Sequence, residues 1–324
     1  MNLYLLFSRY VRRQVRELRR QLQAIGKVSD PDVIHDARVA CRRLRVALAV
    51  LRDLLPRRLT KKWKLRQLRR DLRDFARALG QARDLDVHIG RIKKWASTVK
   101  NAEEKAGVRW VVRELQTARK NSQSQVLEAA KRLEQTQAVK RLKQWSKFLA
   151  DSVPKKGELA EIVGQSEEVL RGYLGAVARS AEISPHSRPV EELHELRITF
   201  KKLRYFLELF SDANKKSFEP AIAECRKIQE DLGDFCDAVN GAEMVKTLLE
   251  HAKGNPGKSS PSQHGSAQAQ LGIKRCLEWY QSLSEVALNR LAESLNLAKS
   301  DGPLMGISLS QLLQPVGASE VSST

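Results

Sequence analysis

Apolar residues recur every three to four positions along most of the chain, the spacing of a helix with one buried face. In LYLLFSRYVRRQVRELRRQLQAI this predicts a helix over 3–25 with Arg9, Arg12, Arg13, Arg16, Arg19 and Arg20 on its polar side. GKVSDPDV interrupts it, and Asp30 as N-cap, Pro31 at the first helical position and Asp32 at the dipole's positive end open a second helix. Pro56 stops that helix near Leu55. A third reads from Arg57 to Leu79 and ends at Gly80; further helical text covers 84–99 and 103–133, and continues to 148. Ser152 to Glu158 forms a junction, followed by a helix over 159–181, the breaker ISPHSRP, and a helix that Pro189 opens. Helices are then expected over 216–232 and 234–252, and from the end of GNPGKSSPSQHGSA (254–267), a flexible insert by composition, to Lys299. Residues 301–324 read as a loose tail. Long β-branched runs are missing, so the fold class is all-α.

Two stretches repeat. HDARVACRRLR begins at His35 and HELRITFKKLR at His194; Arg38, Arg42 and Arg45 of the first align with Arg197, Lys201 and Arg204 of the second. Farther on, LGQARDLD (79–86) resembles LGDFCDAV (232–239), pairing Gly80 with Gly233 and Asp84 with Asp237. A period near 155 is too long for a solenoid and suggests two homologous helical bundles, 1–155 and 156–300. Rotating about 100° per residue puts His35, Arg38, Arg42 and Arg45 in a strip about 80° wide, with Leu44, Leu48 and Leu51 opposite. His194, Arg197, Lys201 and Arg204 make the same strip, opposite Leu196, Phe200, Leu203 and Phe210; Glu208 falls at its far end. Arg43 and Lys202 point elsewhere.

The helix after the first motif adds a row: Lys62, Arg66, Arg69, Arg70, Arg73 and Arg77. Arg66–Arg70, Arg69–Arg73 and Arg73–Arg77 are like-charge pairs at i,i+4, each destabilising by a few tenths of a kcal/mol unless an anion relieves them. The second copy keeps only Arg226, opposite Arg73. A basic row alone is ordinarily a solvated face. The net charge of +20 sharpens the picture, because residues 1–150 hold 38 Lys+Arg against 14 Asp+Glu and residues 151–324 hold 20 against 24. The second strip thus persists where the positive excess is gone. Such a charge calls for a polyanion: nucleic acid, an acidic lipid surface or a phosphate polymer.

Cys41, Cys225, Cys236 and Cys276 form no C-x-x-C pair and read as buried thiols of a reducing compartment. No apolar run is long enough to span a bilayer, and the first twenty residues lack the charge order of a signal peptide, so a cytoplasmic protein is expected. There is no Walker A loop, no HExxH and no telling Ser/His/Asp spacing. Asp84, Asp86, Asp234 and Asp237 read as helix caps rather than metal ligands, and His88, His186, His251 and His264 are given no role. No cofactor, metal or catalytic residue is expected.

The duplicated pattern H-x-x-R-x-x-x-[KR]-[KR]-L-R, each copy followed by an L-G…D segment, resembles the CHAD family (conserved histidine α-helical domains) over about residues 1–300. The resemblance implies two four-helix bundles related by a pseudo-twofold axis around a basic cavity or groove. It also implies non-catalytic binding of inorganic polyphosphate and, for some members, association with polyphosphate granules. By position it implicates His35, Arg38, Arg42, Arg45, His194, Arg197, Lys201 and Arg204; the charge row adds Arg66, Arg69, Arg70, Arg73, Arg77 and Arg226. The alternatives are a nucleic-acid-binding protein, for which recognised modules and aromatic platforms are lacking, and a phosphatase or phosphotransferase using His35 or His194.

Overall fold

Asp30 is an N-cap in the structure: its side chain accepts the Asp32 backbone N–H at 2.9 Å, and Pro31 opens the helix behind it. The computed structural model describes residues 2–25, 30–254, 263–299, 303–304 and 306–309. Among these residues there are ten α-helices and no strand: α1 (Leu3–Ile25), α2 (Pro31–Leu54), α3 (Arg57–Thr60), α4 (Leu65–Ala96), α5 (Ala102–Gln135), α6 (Ala138–Ala150), α7 (Glu158–Ala181), α8 (Val190–Phe210), α9 (Lys215–Gly254) and α10 (Gln263–Lys299). None of the described helices is long and apolar enough to cross a membrane.

Three boundaries differ from the expectation. The helix expected over 57–79 is broken at Lys64, which adopts a left-handed conformation (φ 49°) after a 3₁₀ turn. The carbonyls this frees are used by α6: Trp145 Nε1 donates to Leu59 O at 3.0 Å and Arg141 to Trp63 O at 3.2 Å. Conversely, neither Gly80 nor Gly233 ends a helix. Both lie inside long helices, α4 and α9, where the missing Cβ serves packing rather than a turn. The text from 103 to 148 is two helices, because Gln137 takes a left-handed conformation (φ 53°).

The expected flexible insert falls partly on 255–262, outside the described residues, while residues from Gln263 onward are helical. Within the expected tail, Leu304 and Leu309 are buried, and the Leu304 N–H donates to Glu224 at 2.8 Å, so the chain is tied down there; residues 310–324 lie outside the described residues.

Helix α1 packs on α2, α6 and α8. Its Phe7 meets Phe210 edge-to-face at 5.3 Å, and its buried Ser8 hydroxyl donates to Ser146 O at 2.6 Å. One continuous core runs from Leu3 to Leu309 and includes residues on both sides of the 151–157 turn. Each fully buried Leu or Phe in it contributes roughly 1.5–3 kcal/mol. A second core joins α4 and α5 to α9 and α10 through Ile92, Val111, Val245 and Ile273. There α5 and α10 touch backbone to backbone at Gly107 and Gly272, a contact that any Cβ at Gly272 would prevent. The four cysteines are free and buried.

Candidate anion-binding site

The helical rotation of each motif sends its leucines inward and brings Arg38, Arg42, Arg197 and Lys201 to where α2 meets α8. There the two strips become one cluster. Arg38 and Arg42 from α2 and Arg197 from α8 surround Lys201. Burial, reinforced by those three charges, brings the Lys201 ammonium down from 10.5 to about 7. Burial also holds Arg42 below its ordinary value, Arg38 and Arg204 adding to this and Tyr205 opposing it.

Tyr205, 1% exposed, is the platform on which the cluster rests. The guanidinium groups of Arg204, Arg42 and Arg43 stand 4.8, 5.5 and 5.9 Å from its ring centre, and Arg204 donates to its hydroxyl at 3.0 Å. Glu208 closes the far end of the strip, as its rotation predicts. It accepts from Arg43 Nε at 3.0 Å, and Arg204 Nε lies 3.7 Å from it.

Asp84 and Asp237 are not caps. They lie inside α4 and α9 and face the motif arginines: Arg38 Nη1 to Asp84 at 3.3 Å, Arg197 Nη2 to Asp237 at 3.9 Å. Burial raises the Asp84 carboxyl above the usual carboxylate range, and the charge of Asp237 adds to it while Arg38 and Arg197 oppose it. Two aspartates and two arginines thus share one neighbourhood. The two glycines differ in how closely their arginines approach. A Cβ at Gly80 would stand 2.9 Å from Arg38 Nη1, and one at Gly233 3.7 Å from Arg197 Nη2. Asp86 and Asp234 are also inside helices and serve packing: Asp86 pairs with Arg119 at 2.7 Å, and Asp234 with Arg91 and Arg290, each at 2.7 Å.

Arg45 points to the other helix. Burial lowers its proton affinity, and the charges of Arg69 and Arg73 on α4 lower it further. The strip on α2 and the row on α4 are therefore joined. Arg66, Arg69, Arg70, Arg73 and Arg77 are all exposed. The row is less bare than its sequence suggests, since Arg73 Nε pairs with Asp74 at 3.0 Å and Arg70 donates to Gln67 at 2.6 Å. Lys62 precedes α4 and does not belong to the row; its ammonium sits 4.0 Å from the Phe148 ring centre. Arg226 is exposed on α9, 3.8 Å from Glu219.

His35 and His194 are both exposed. Desolvation and the charges of Arg83 and Arg42 keep His35 neutral more readily than a free imidazole, with Asp36 and Asp32 opposing. His88, by contrast, is buried, its Nδ1 2.8 Å from the Tyr280 hydroxyl, and burial brings it down to about 4. Arg83, Asp84, Asp237 and Tyr205 are site residues the strip alone does not reveal. The L-G…D repeat carried the signal for three of them, since it contains Asp84, Asp237 and Arg83.

Four guanidinium Nε–H groups, on Arg42, Arg45, Arg197 and Arg204, are buried with no acceptor among the described residues. An unsatisfied charged donor is costly, and an anion is the natural acceptor for it. A surface hollow at the turn before α7, lined by Asn2, Pro154, Lys155 and Lys156 among others, includes none of these side chains.

A duplicated, cation-faced helix packed on its own second copy defines an all-α protein with cations of both copies gathered at one contact. The family model for the CHAD domain matches residues 9–246, and the chain belongs to that family. The family is associated with polyphosphate binding. The fold is similar to the crystal structure of the CHAD domain from the plant Ricinus communis (TM-score 0.63, 23% identity, 91% of this chain and 92% of that chain covered). It is also similar to PptA from Streptomyces chartreusis (TM-score 0.58, 17% identity, 90% and 98% covered). No curated protein matches the sequence.

Proposed function

We propose that the chain binds inorganic polyphosphate without processing it, in a cytoplasmic setting that includes polyphosphate granules. The observation that carries this reading is the meeting of Arg38, Arg42, Arg197 and Lys201 from two motif helices in one half-buried cluster. Guanidinium forks suit the oxygens of successive phosphates, and the exposed row on α4 continues the positive track along the polymer. His35, kept neutral, donates one N–H to a phosphate oxygen without adding charge. The two bundles, 1–155 and 156–300, supply one half of the groove each.

The test is a salt-dependent titration with polyphosphate, with duplex DNA in excess as competitor. Affinity is expected to fall steeply with salt and to survive the DNA. Replacing Arg38, Arg42, Arg197 and Lys201 together by Gln weakens binding roughly a thousandfold at low salt and makes the log–log salt slope shallower by about 3. Equal binding by the variant removes the site; equal displacement by DNA favours the nucleic-acid reading, in which the open α4 row is the contact surface.

A further inference from the structure

The cluster between α2 and α8 leaves the arginines of α1 unused. Helix α1 runs antiparallel to α6, since its Ser8 hydroxyl donates to Ser146 O at 2.6 Å and its Tyr4 hydroxyl to Glu158, beyond the end of α6, at 2.9 Å. Rotating about 100° per residue from Ser8 puts Arg12 and Arg19 within about 40° of it, and Arg16 and Arg9 within about 100°. From Ser146 the same rotation puts Lys143, Lys147 and Lys140 of α6 within about 120°. All of these cations are exposed, and the two rows border one outer face about 15 Å long on α1.

The opposite edge of α1 adjoins the helices of the cluster, and it is neutralised. Arg13 pairs with Asp212 at 3.1 Å, and Arg20 pairs with Glu17 at 2.7 Å with Asp36 of α2 at 4.0 Å. The cations of the outer face, by contrast, make no ion pair among the described residues. Asp151 is exposed just beyond the end of α6, and Glu17 is already held by Arg20 and Gln21. Arg12–Arg16 and Lys143–Lys147 are like-charge pairs at i,i+4, whose repulsion an anion over them relieves. The face offers charge and little else. Tyr4, Phe7, Tyr10 and Trp145 are buried, so no ring is open for a base to stack on. None of the exposed large apolar side chains lies on α1 or α6, the nearest being Val153 in the turn that follows, so nothing inserts among lipid tails. The cations are spread over two convex cylinders. A flexible chain can follow both rows, whereas a stiff duplex touches only those in one plane.

We propose that the outer face of α1 and α6 is a second polyphosphate surface, which takes a different chain from the one held between α2 and α8, so that one molecule bridges two polymers. The inference rests on the polyphosphate reading above and adds a second contact to it. Each cation on the open face contributes modestly, because solvent screens it. A polymer engages many of them at once and releases counterions, which makes the contact strong at low salt and reversible at high salt. The half-buried cluster holds a chain; the open face gathers further chains around it.

The experiment mixes the whole protein with long-chain polyphosphate and reads cross-linking by light scattering across a salt series. Tripolyphosphate, too short to bridge, is titrated in parallel to read the cluster alone. The wild type is expected to scatter with the long chain and not with tripolyphosphate. Replacing Arg12, Arg16, Lys140 and Lys143 together by Gln keeps tripolyphosphate affinity within about twofold and abolishes the scattering at physiological salt. It also makes the log–log salt slope for the long chain shallower by about 3. These side chains are exposed and Gln keeps helix propensity, so the melting temperature stays that of the wild type. A charge-matched variant with Gln at the exposed Lys93, Lys94, Lys100 and Arg109 scatters like the wild type. Undiminished scattering by the outer-face variant, or equal loss in both variants, overturns the inference. If the wild type binds tripolyphosphate and the long chain but never cross-links, only this inference falls; if it binds neither, the anion site falls too. An outer-face variant that loses duplex DNA or acidic vesicles while still cross-linking polyphosphate assigns the face to that other partner and overturns the inference.

Discussion

The two motif copies place the same residue types at the same positions and give them different company. In the first, Arg45 faces Arg69 and Arg73, with Asp74 opposing them, and under the proposed function its charge is available to an outside anion. In the second, its counterpart Arg204 leans on Tyr205 and lies beside Glu208, which also holds Arg43. The difference teaches that a repeated motif fixes where a cation stands, while the residues around each copy decide whether a partner from the protein lies beside it. Under the proposed function the first copy attracts the anion, while Glu208 of the second holds Arg43 of the first and joins α2 to α8.

The widest separation is expected between Arg45→Gln and Arg204→Gln. Losing Arg45 costs about tenfold in polyphosphate affinity, the scale of one charge-assisted contact, and leaves thermal stability unchanged or slightly higher because repulsion on α4 is relieved. Losing Arg204 costs about twofold in affinity yet lowers stability by roughly 1–2 kcal/mol, since Glu208 and the Tyr205 hydroxyl lose a partner. Titration and thermal melts on the two variants read this directly. Equal losses in affinity with equal melts would erase the asymmetry.

A smaller effect of opposite sign comes from the aspartates. Asp84 holds Arg38 at 3.3 Å and, under the proposed function, is the internal anion that a phosphate would displace. Asp84→Asn is therefore expected to tighten binding about fivefold, the scale of one partly exposed ion pair. Asp237→Asn tightens it less, because Arg197 is farther away at 3.9 Å, and it destabilises more, because Asp237 also holds Arg91 of α4 at 3.4 Å. Weaker binding by Asp84→Asn would mean that the carboxylate positions Arg38 instead of competing for it.

The helices and the two strips were legible in the sequence because hydrophobic period and charge are local properties. Asp30–Pro31 announced α2, and the rotation that put Arg38, Arg42, Arg197 and Lys201 opposite the leucines was sufficient to bring them together. What was not legible depends on contacts between helices. Gly80 and Gly233 read as helix ends, since glycine ordinarily marks one, yet both sit mid-helix, and at Gly80 a Cβ would crowd a guanidinium from a neighbouring helix. Asp84 and Asp237 read as caps for the same reason. The break at Lys64 depends on Trp145 and Arg141, some eighty residues away, which take up the freed carbonyls. Tyr205 carried no signal, because an aromatic on a core helix is ordinarily only core.

The finest comparison sets the two glycines against each other. In a helix interior, Gly→Ala stabilises by roughly 0.5–1 kcal/mol through backbone entropy when the methyl has room. At Gly233 it has room: the nearest atom, Arg197 Nη2, would be at 3.7 Å, an ordinary contact. Gly233→Ala should therefore raise the melting temperature by a few degrees and leave polyphosphate affinity unchanged. At Gly80 the methyl would stand 2.9 Å from Arg38 Nη1, so the guanidinium must swing away. The end of a flexible side chain can do this, which keeps the protein folded. It forfeits the Asp84 pair and misplaces the arginine, offsetting the entropic gain. Gly80→Ala should thus melt near the wild type and bind polyphosphate about threefold more weakly, a loss of well under 1 kcal/mol. If both alanines stabilise equally and neither touches affinity, Arg38 does not need the space that Gly80 leaves, and the pairing of L-G…D with the motif arginine is a matter of helix packing alone.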